Sequence, residues 1–321
     1  MTTGASLAHV FFVHSPITYS VAMASIRQRS LTAPLVVGGR AMAGERVNCA
    51  VEDDGIWSIS RTCELLQRIH ERIPATADVA IYLPHTAFLF GKLLKISGRV
   101  REIYYLEEGY TSANTALLSQ YCAPTPLDEA ALVAALDAAS LVDAWRIDRR
   151  RLAHLNEIPE SALDARCEKY AGAFACSDDA FLGMAGVNRL PLVVAPRETS
   201  AQLLSFWGIS NRYCDTRQID PACRMVCEII DVMLHENKSG LPMLVKLHPR
   251  DRKGLPAWFY ERLRQRGVDY FAYCQRRAIN TNIEPALLNF AHYHIFGRTA
   301  QAKYVSAFLG APRMTQYGSA E

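Results

Sequence analysis

The chain has 321 residues, enough for one large or two medium α/β domains. Hydrophobic residues make up 50% and charged residues 21%, a balance that excludes disordered and fibrous classes. A net charge of +3 is too mild to argue for a nucleic-acid partner, and is compatible with an anionic small ligand or an anionic membrane surface. The nine cysteines are odd in number and scattered, without a C-x-x-C pair. They read as reduced thiols, with a cytoplasmic location expected. No signal peptide and no run of about 18 apolar residues is evident, so no membrane-spanning helix is expected.

His9-Val-Phe-Phe-Val-His14 is a continuous apolar strand of the kind buried in a parallel sheet. Ser15 follows as a helix N-cap, with Pro16 at the first helical position. A strand feeding a helix N-terminus offers free backbone N–H groups to an anion or substrate, and a plain strand–helix joint is the competing reading. Pro34 to Val37 is a second strand, with Gly38-Gly39 read as its turn. A helix is expected over Ile56 to Ile73, a strand over Val79 to Leu83, a helix over Ala87 to Ile96 and a strand over Glu102 to Leu106. This alternation predicts a Rossmann-like half with a parallel sheet.

The last of these strands runs into Glu107-Glu108-Gly109. Two carboxylates at a carboxyl strand end are an acid–base candidate, since like charge and partial burial raise one pKa toward a useful value. A solvated acidic turn is the plain alternative. Thr125-Pro-Leu-Asp128 opens an alanine-rich helix expected to end near Trp145, beside Arg146, Arg149, Arg150 and Arg151. Those arginines read as a solvated helix C-terminus or as a contact for an anionic acceptor or lipid head group.

Further strands are expected over Phe174 to Cys176 and Leu190 to Ala195, then a polar, irregular stretch from Arg197 to Gln218 and a helix over Met225 to His235. Leu241 to Val245 is a short buried strand followed by Lys246, His248 and Pro249. A cation and an imidazole two residues apart share one face of an extended segment and can reach one anionic ligand. Pro249 ends the strand by removing a backbone donor. A strand over Asp269 to Tyr273, a helix from Ile283, a strand over His292 to Phe296 ending in Gly297-Arg298-Thr299, and a helix from Ala300 complete a second alternating half. His292 and His294 share a strand face, but no third metal ligand is placed by sequence, and a structural role is expected for both.

Two signals thus fall on two Rossmann-like halves. Glu107-Glu108-Gly109 resembles the (D/E)-(D/E)-G motif of bacterial sialyltransferases, and Lys246-Leu-His248-Pro249 resembles their K-x-H-P motif, in the same chain order. Glu284 at a helix start and Gly297-Arg298-Thr299-Ala300 at a strand-to-helix turn are similar to two further elements of that family. Arg298 departs from the serine or threonine pair expected there. Related polysialyltransferase-like and Kdo-transferase-like groups share these motifs.

The resemblance implies an α/β fold of the GT-B type, two Rossmann-like domains with parallel sheets facing a central cleft. Residues 1–187 would form the acceptor-side domain with the acid pair, and 188–321 the CMP-binding domain. It implies an inverting, metal-independent transfer of sialic acid or a related nonulosonic acid from a CMP-activated donor to a bacterial surface glycan or glycolipid. No cofactor beyond that donor is implied. Glu108 would be the base, and Glu107 would support it or hold the acceptor. His248 would serve the leaving phosphate, Lys246 the cytosine or phosphate side, Glu284 the ribose hydroxyls, and Thr299 the phosphate. Pro249, Gly109, Gly297, Arg298, Ala300 and Ser15 complete the implied binding set. Peripheral contact with the inner membrane is compatible with this reading.

Overall fold

The computed structural model describes residues 6–39, 47–51, 58–108, 112, 127–157, 163–190, 202–206, 231, 243–246, 261, 264–265, 292–296 and 314–317. The chain divides into two compact units, Met1–Leu192 and Val193–Glu321. The division lies a few residues beyond position 187 because Val187–Arg189 is a strand of the first sheet.

The first unit is an α/β layer structure. Its strands are β1 (Leu7–Val13), β2 (Leu35–Gly39), β3 (Cys49–Val51), β4 (Asp78–Leu83), β5 (Val100–Leu106), β6 (Tyr170–Ala175) and β7 (Val187–Arg189). All are parallel, in the spatial order β3-β2-β1-β4-β5-β6-β7. The chain first builds outward from β1 through β2 to β3. It then returns to the other side of β1 to begin β4. The gap between β1 and β4 is therefore the topological switch point, where open α/β sheets bind ligands beyond their carboxyl ends.

Alternating side chains cover both faces of this sheet. Val10, Phe12, Ile81, Leu83, Ile103 and Tyr105 belong to one core cluster. Phe11, Val13, Tyr82, Tyr104 and Leu106 belong to the other. Helix α1 (Pro16–Gln28) is started by Ser15, whose hydroxyl accepts from the Thr18 N–H at 3.3 Å. Helix α2 (Ile59–His70) is capped by Ser58 and buries Thr62, Leu65, Leu66 and Ile69, the spacing of one helical face. Helix α3 (Leu89–Ile96) has no side-chain cap bond, and burial rather than capping holds it. At Gly91 an added Cβ would stand 2.6 Å from the Thr86 Cα, so only glycine lets α3 approach the turn after β4.

The alanine-rich segment departs from expectation. Helix α4 (Glu129–Ala138), capped by Asp128, stops well before Trp145 because Ser140 turns left-handed at φ 55. Two short helices follow, α5 (Leu141–Ala144) and α6 (Arg149–Leu152). Trp145, expected beside a solvated basic cluster, is fully buried. It donates to the Leu66 carbonyl at 3.2 Å and stacks against the buried guanidinium of Arg99. Arg146 and Arg149 are engaged by Asp78 at 3.0 Å and Asp137 at 2.8 Å, an arrangement of surface ion pairs. Gly38 and Gly39, expected to turn the chain, continue β2 and pair with Ala50 and Val51.

The second unit carries β8 (Gln202–Phe206), β9 (Met243–Lys246), β10 (His292–Phe296) and β11 (Met314–Tyr317), all parallel in the order β11-β10-β8-β9. The strand β8 corrects the expectation of an irregular segment over 197–218, and β11 was not foreseen. Strands β9 and β10 fall where the apolar runs predicted them. Of the helix expected over 225–235, Asp231 is described and is helical; the helices expected from 283 and 300 and the strand over 269–273 lie outside the described residues. Both units are thus built on parallel sheets, and the helices described from end to end belong to the first. None of the described helices is long and apolar enough to cross a membrane.

Candidate active site

The register of the first sheet brings three strand ends together. Phe11 pairs with Tyr82, so three residues further His14 stands level with His85. Leu83 pairs with Tyr105, so His85 stands level with Glu107, and Glu108 is the next residue. His14, His85 and the acid pair therefore meet at the carboxyl edge on either side of the switch point.

The two glutamates serve different partners, as the alternation of an extended chain requires. Glu107 is fully buried and turns toward the end of β6. Its Oε2 accepts from the Cys176 N–H at 2.6 Å, the Ser177 N–H at 3.0 Å and the Cys176 thiol at 3.1 Å, and its Oε1 accepts from the Ser177 hydroxyl. Such a set of donors compensates the loss of water around a carboxylate. Glu107 is thus a tie between β5 and β6.

Glu108 turns toward β1 and β4. Its Oε1 is hydrogen-bonded to Nε2 of His14, and its Oε2 lies 3.6 Å from Nε2 of His85. Its own N–H donates to the Ser112 hydroxyl at 2.6 Å, and the Ser112 carbonyl receives the Phe181 N–H at 2.9 Å. His14 and His85 are both buried, while the Glu108 side chain keeps 20% of its surface exposed. The two imidazoles stand edge to face, with centroids 6.0 Å apart.

Burial depresses the His85 pKa to about 4; the charge of Glu108 opposes this and His14 adds to it. His85 is therefore neutral near pH 7. Its Nδ1 accepts the Ala87 N–H at 3.3 Å, which puts the ring proton on Nε2, facing Glu108.

His14, His85 and Glu108 offer one donor atom each within 4.8 Å of one another, a spacing that a divalent ion could span. Their hydrogen bonds fit an ion poorly. Nε2 of His14 is bonded to the carboxylate, and metal-bound histidines donate from their second nitrogen, whereas that of His85 accepts.

Of the other residues singled out from sequence, Ser15 is a helix cap whose hydroxyl also meets Thr18 Oγ1 at 2.8 Å. Lys246 closes β9 at the edge of the second sheet, paired with Ser205. Gly109, His248, Pro249, Glu284, Gly297, Arg298, Thr299 and Ala300 lie outside the described residues. His292 and His294 have ring centroids 4.7 Å apart on β10, and His292 meets Thr315 Oγ1 at 2.9 Å. The sequence reading missed His14 and His85. The signal for both was the one used at Lys246 and His248: a histidine within two residues of the end of an apolar strand.

No family model and no curated protein matches the chain. Among solved structures, a UDP-GlcNAc 2-epimerase from Methanocaldococcus jannaschii is similar over 90% of this chain and 78% of that one, at 10% identity and a TM-score of 0.35.

Proposed function

We propose that this chain is an inverting, metal-independent glycosyltransferase that moves sialic acid or a related nonulosonic acid from a CMP-activated donor to a bacterial surface glycan. The observation that carries the reading is the position of Glu108. The second acid of the Glu107-Glu108-Gly109 motif stands at the switch point of a parallel sheet and is held by a buried imidazole, not left in a solvated turn. Its resemblance partner, the Lys246-Leu-His248-Pro249 motif, begins at the end of β9 in the second unit.

In this reading the first unit carries the acceptor side of the reaction and the second binds the CMP-activated donor. Glu108 takes the proton of the acceptor hydroxyl as that oxygen attacks the anomeric carbon. The bond from that carbon to the CMP oxygen breaks through an oxocarbenium-like state, as in other glycosyl transfers. Negative charge grows on the phosphate, where His248, Lys246 and the N–H groups around Thr299 stabilise it. Glu284 holds the ribose hydroxyls.

The test follows CMP release with CMP-sialic acid and CMP-Kdo offered in parallel. Glu108→Ala and His248→Ala are each expected to reduce turnover about 100-fold or more. Release from CMP-Kdo alone would move the donor assignment to a Kdo-type transfer. Tight nucleotide binding with no release from either donor would make this a binding protein. Unchanged rates in both variants would remove the site assignment.

A further inference from the structure

We propose that His14 is the positioning residue of this site: its Nε2–H donates to Oε1 of Glu108 and holds that carboxylate ionised and in one orientation. The inference deepens the transferase reading and rests on it for the identity of the proton donor. Nothing in the motif resemblance assigns a role to His14.

Three observations carry it. The first is placement: His14 follows β1 directly, and the register of β1 against β4 sets its ring beside the carboxyl end of β5. The second is tautomer chemistry. With Glu108 ionised, as a base must be, the carboxylate has only acceptors, and the nitrogen that meets its Oε1 carries the proton. The third is the other ring nitrogen: Nδ1 of His14 is buried and has no hydrogen-bond partner among the described residues. Among the described residues, the Glu108 contact is thus the hydrogen bond that orients this ring.

Among the described residues, the ionisable groups around the pair are few. His85, beyond β4, faces Oε2 and is neutral. Glu107, on the same strand end as Glu108, is turned to Cys176 and Ser177 beyond β6. A donor to a carboxylate stabilises its charged form, so losing it raises the pKa of the base. The acid limb of kcat/KM, which reports that base in the free enzyme, must then move to higher pH.

The experiment uses the full chain. First, nitrogen-15 NMR of the histidine rings reads the His14 tautomer in the wild type and in Glu108→Gln, without substrate. Nε2–H in the wild type, perturbed in Glu108→Gln, is expected. A proton on Nδ1, or an unchanged signal in Glu108→Gln, overturns the proposal. Because no turnover is needed, this answer stands even if neither CMP-sugar is consumed, an outcome that would instead remove the transferase reading. Second, pH profiles are compared for wild type, His14→Gln and His14→Phe. The glutamine keeps an N–H near the Nε2 position, so its acid limb should stay close to that of the wild type. The phenylalanine should shift it upward by about one pH unit or more. Identical limbs in all three overturn the proposal, as does stoichiometric zinc binding that His14→Gln and His85→Gln abolish.

Discussion

Neighbouring glutamates with opposite duties should separate stability from turnover. Glu107 has no exposed surface and accepts from two backbone N–H groups, a hydroxyl and a thiol. Glu107→Ala leaves those two N–H groups facing a cavity. An unsatisfied buried donor costs about 1–3 kcal/mol, so a loss of roughly 3–5 kcal/mol is expected after partial relaxation. Glu107→Gln is milder. Its carbonyl oxygen can take the place of Oε2, while its NH₂ donates to Ser177 Oγ, leaving a loss of about 1–2 kcal/mol for the missing charge. Glu108→Gln should change stability by less than about 1 kcal/mol, since an amide oxygen still accepts from His14. It should nonetheless abolish most CMP release. Urea unfolding followed by circular dichroism, with m-values compared among variants, reads the difference as a midpoint fall of roughly 1–2 M for Glu107→Ala. A Glu107→Ala protein within about 1 kcal/mol of wild type would refute the tie between β5 and β6. So would an intact midpoint in Glu107→Ala combined with the turnover defect expected of Glu108.

Burial of neutral His85 makes stability depend on pH. Its folded pKa of about 4 lies below the ordinary value of 6.5, so the unfolded chain binds the extra proton between these limits. The contribution is complete above about pH 6.5 and is lost as pH falls toward 4, on the order of 3 kcal/mol in all. His85→Asn should flatten the slope of unfolding free energy across that window, and an unchanged slope would deny His85 this role. Arg99 is fully buried and donates to the carbonyls of Pro74 at 2.6 Å and Ala77 at 3.0 Å while meeting His70 Nδ1 at 2.8 Å. A lysine cannot reproduce that fork, so Arg99→Lys should cost about 2–4 kcal/mol in denaturant unfolding. Gly91→Ala pushes a methyl group into the Thr86 backbone, costing about 1–3 kcal/mol and lowering turnover further by displacing the neighbouring His85, both read on the purified variant.

How much of this could be read from the chain follows from the range of each signal. Local signals held. The run Val10 to Val13 is buried as its continuous apolarity requires, and Ser15 caps a helix where its side chain predicts, whereas the helix expected to open at Thr125 begins at Glu129 with Asp128 as its cap. Signals that depend on backbone conformation away from glycine failed: Ser140 turns left-handed with nothing in its type to announce it, and the expected single helix broke there, burying Trp145. Gln202–Phe206 hid as a strand because its few apolar residues sit in a polar stretch.

The site itself shows the sharper limit. Glu107 and Glu108 were read as a pair whose charges act on each other, because adjacency in the chain was taken for adjacency in space. In an extended strand end, adjacent side chains face apart, and here one reaches the end of β6 while the other reaches those of β1 and β4. The true neighbours of Glu108 are His14 and His85, which only strand register can bring beside it. A parallel sheet converts distance along the chain into a shared edge, so the question to ask of such a sequence is which residue follows each buried strand. Put to β1, β4 and β5 together, it selects His14, the segment carrying His85, and the acid pair, and so assembles the site before any motif is consulted.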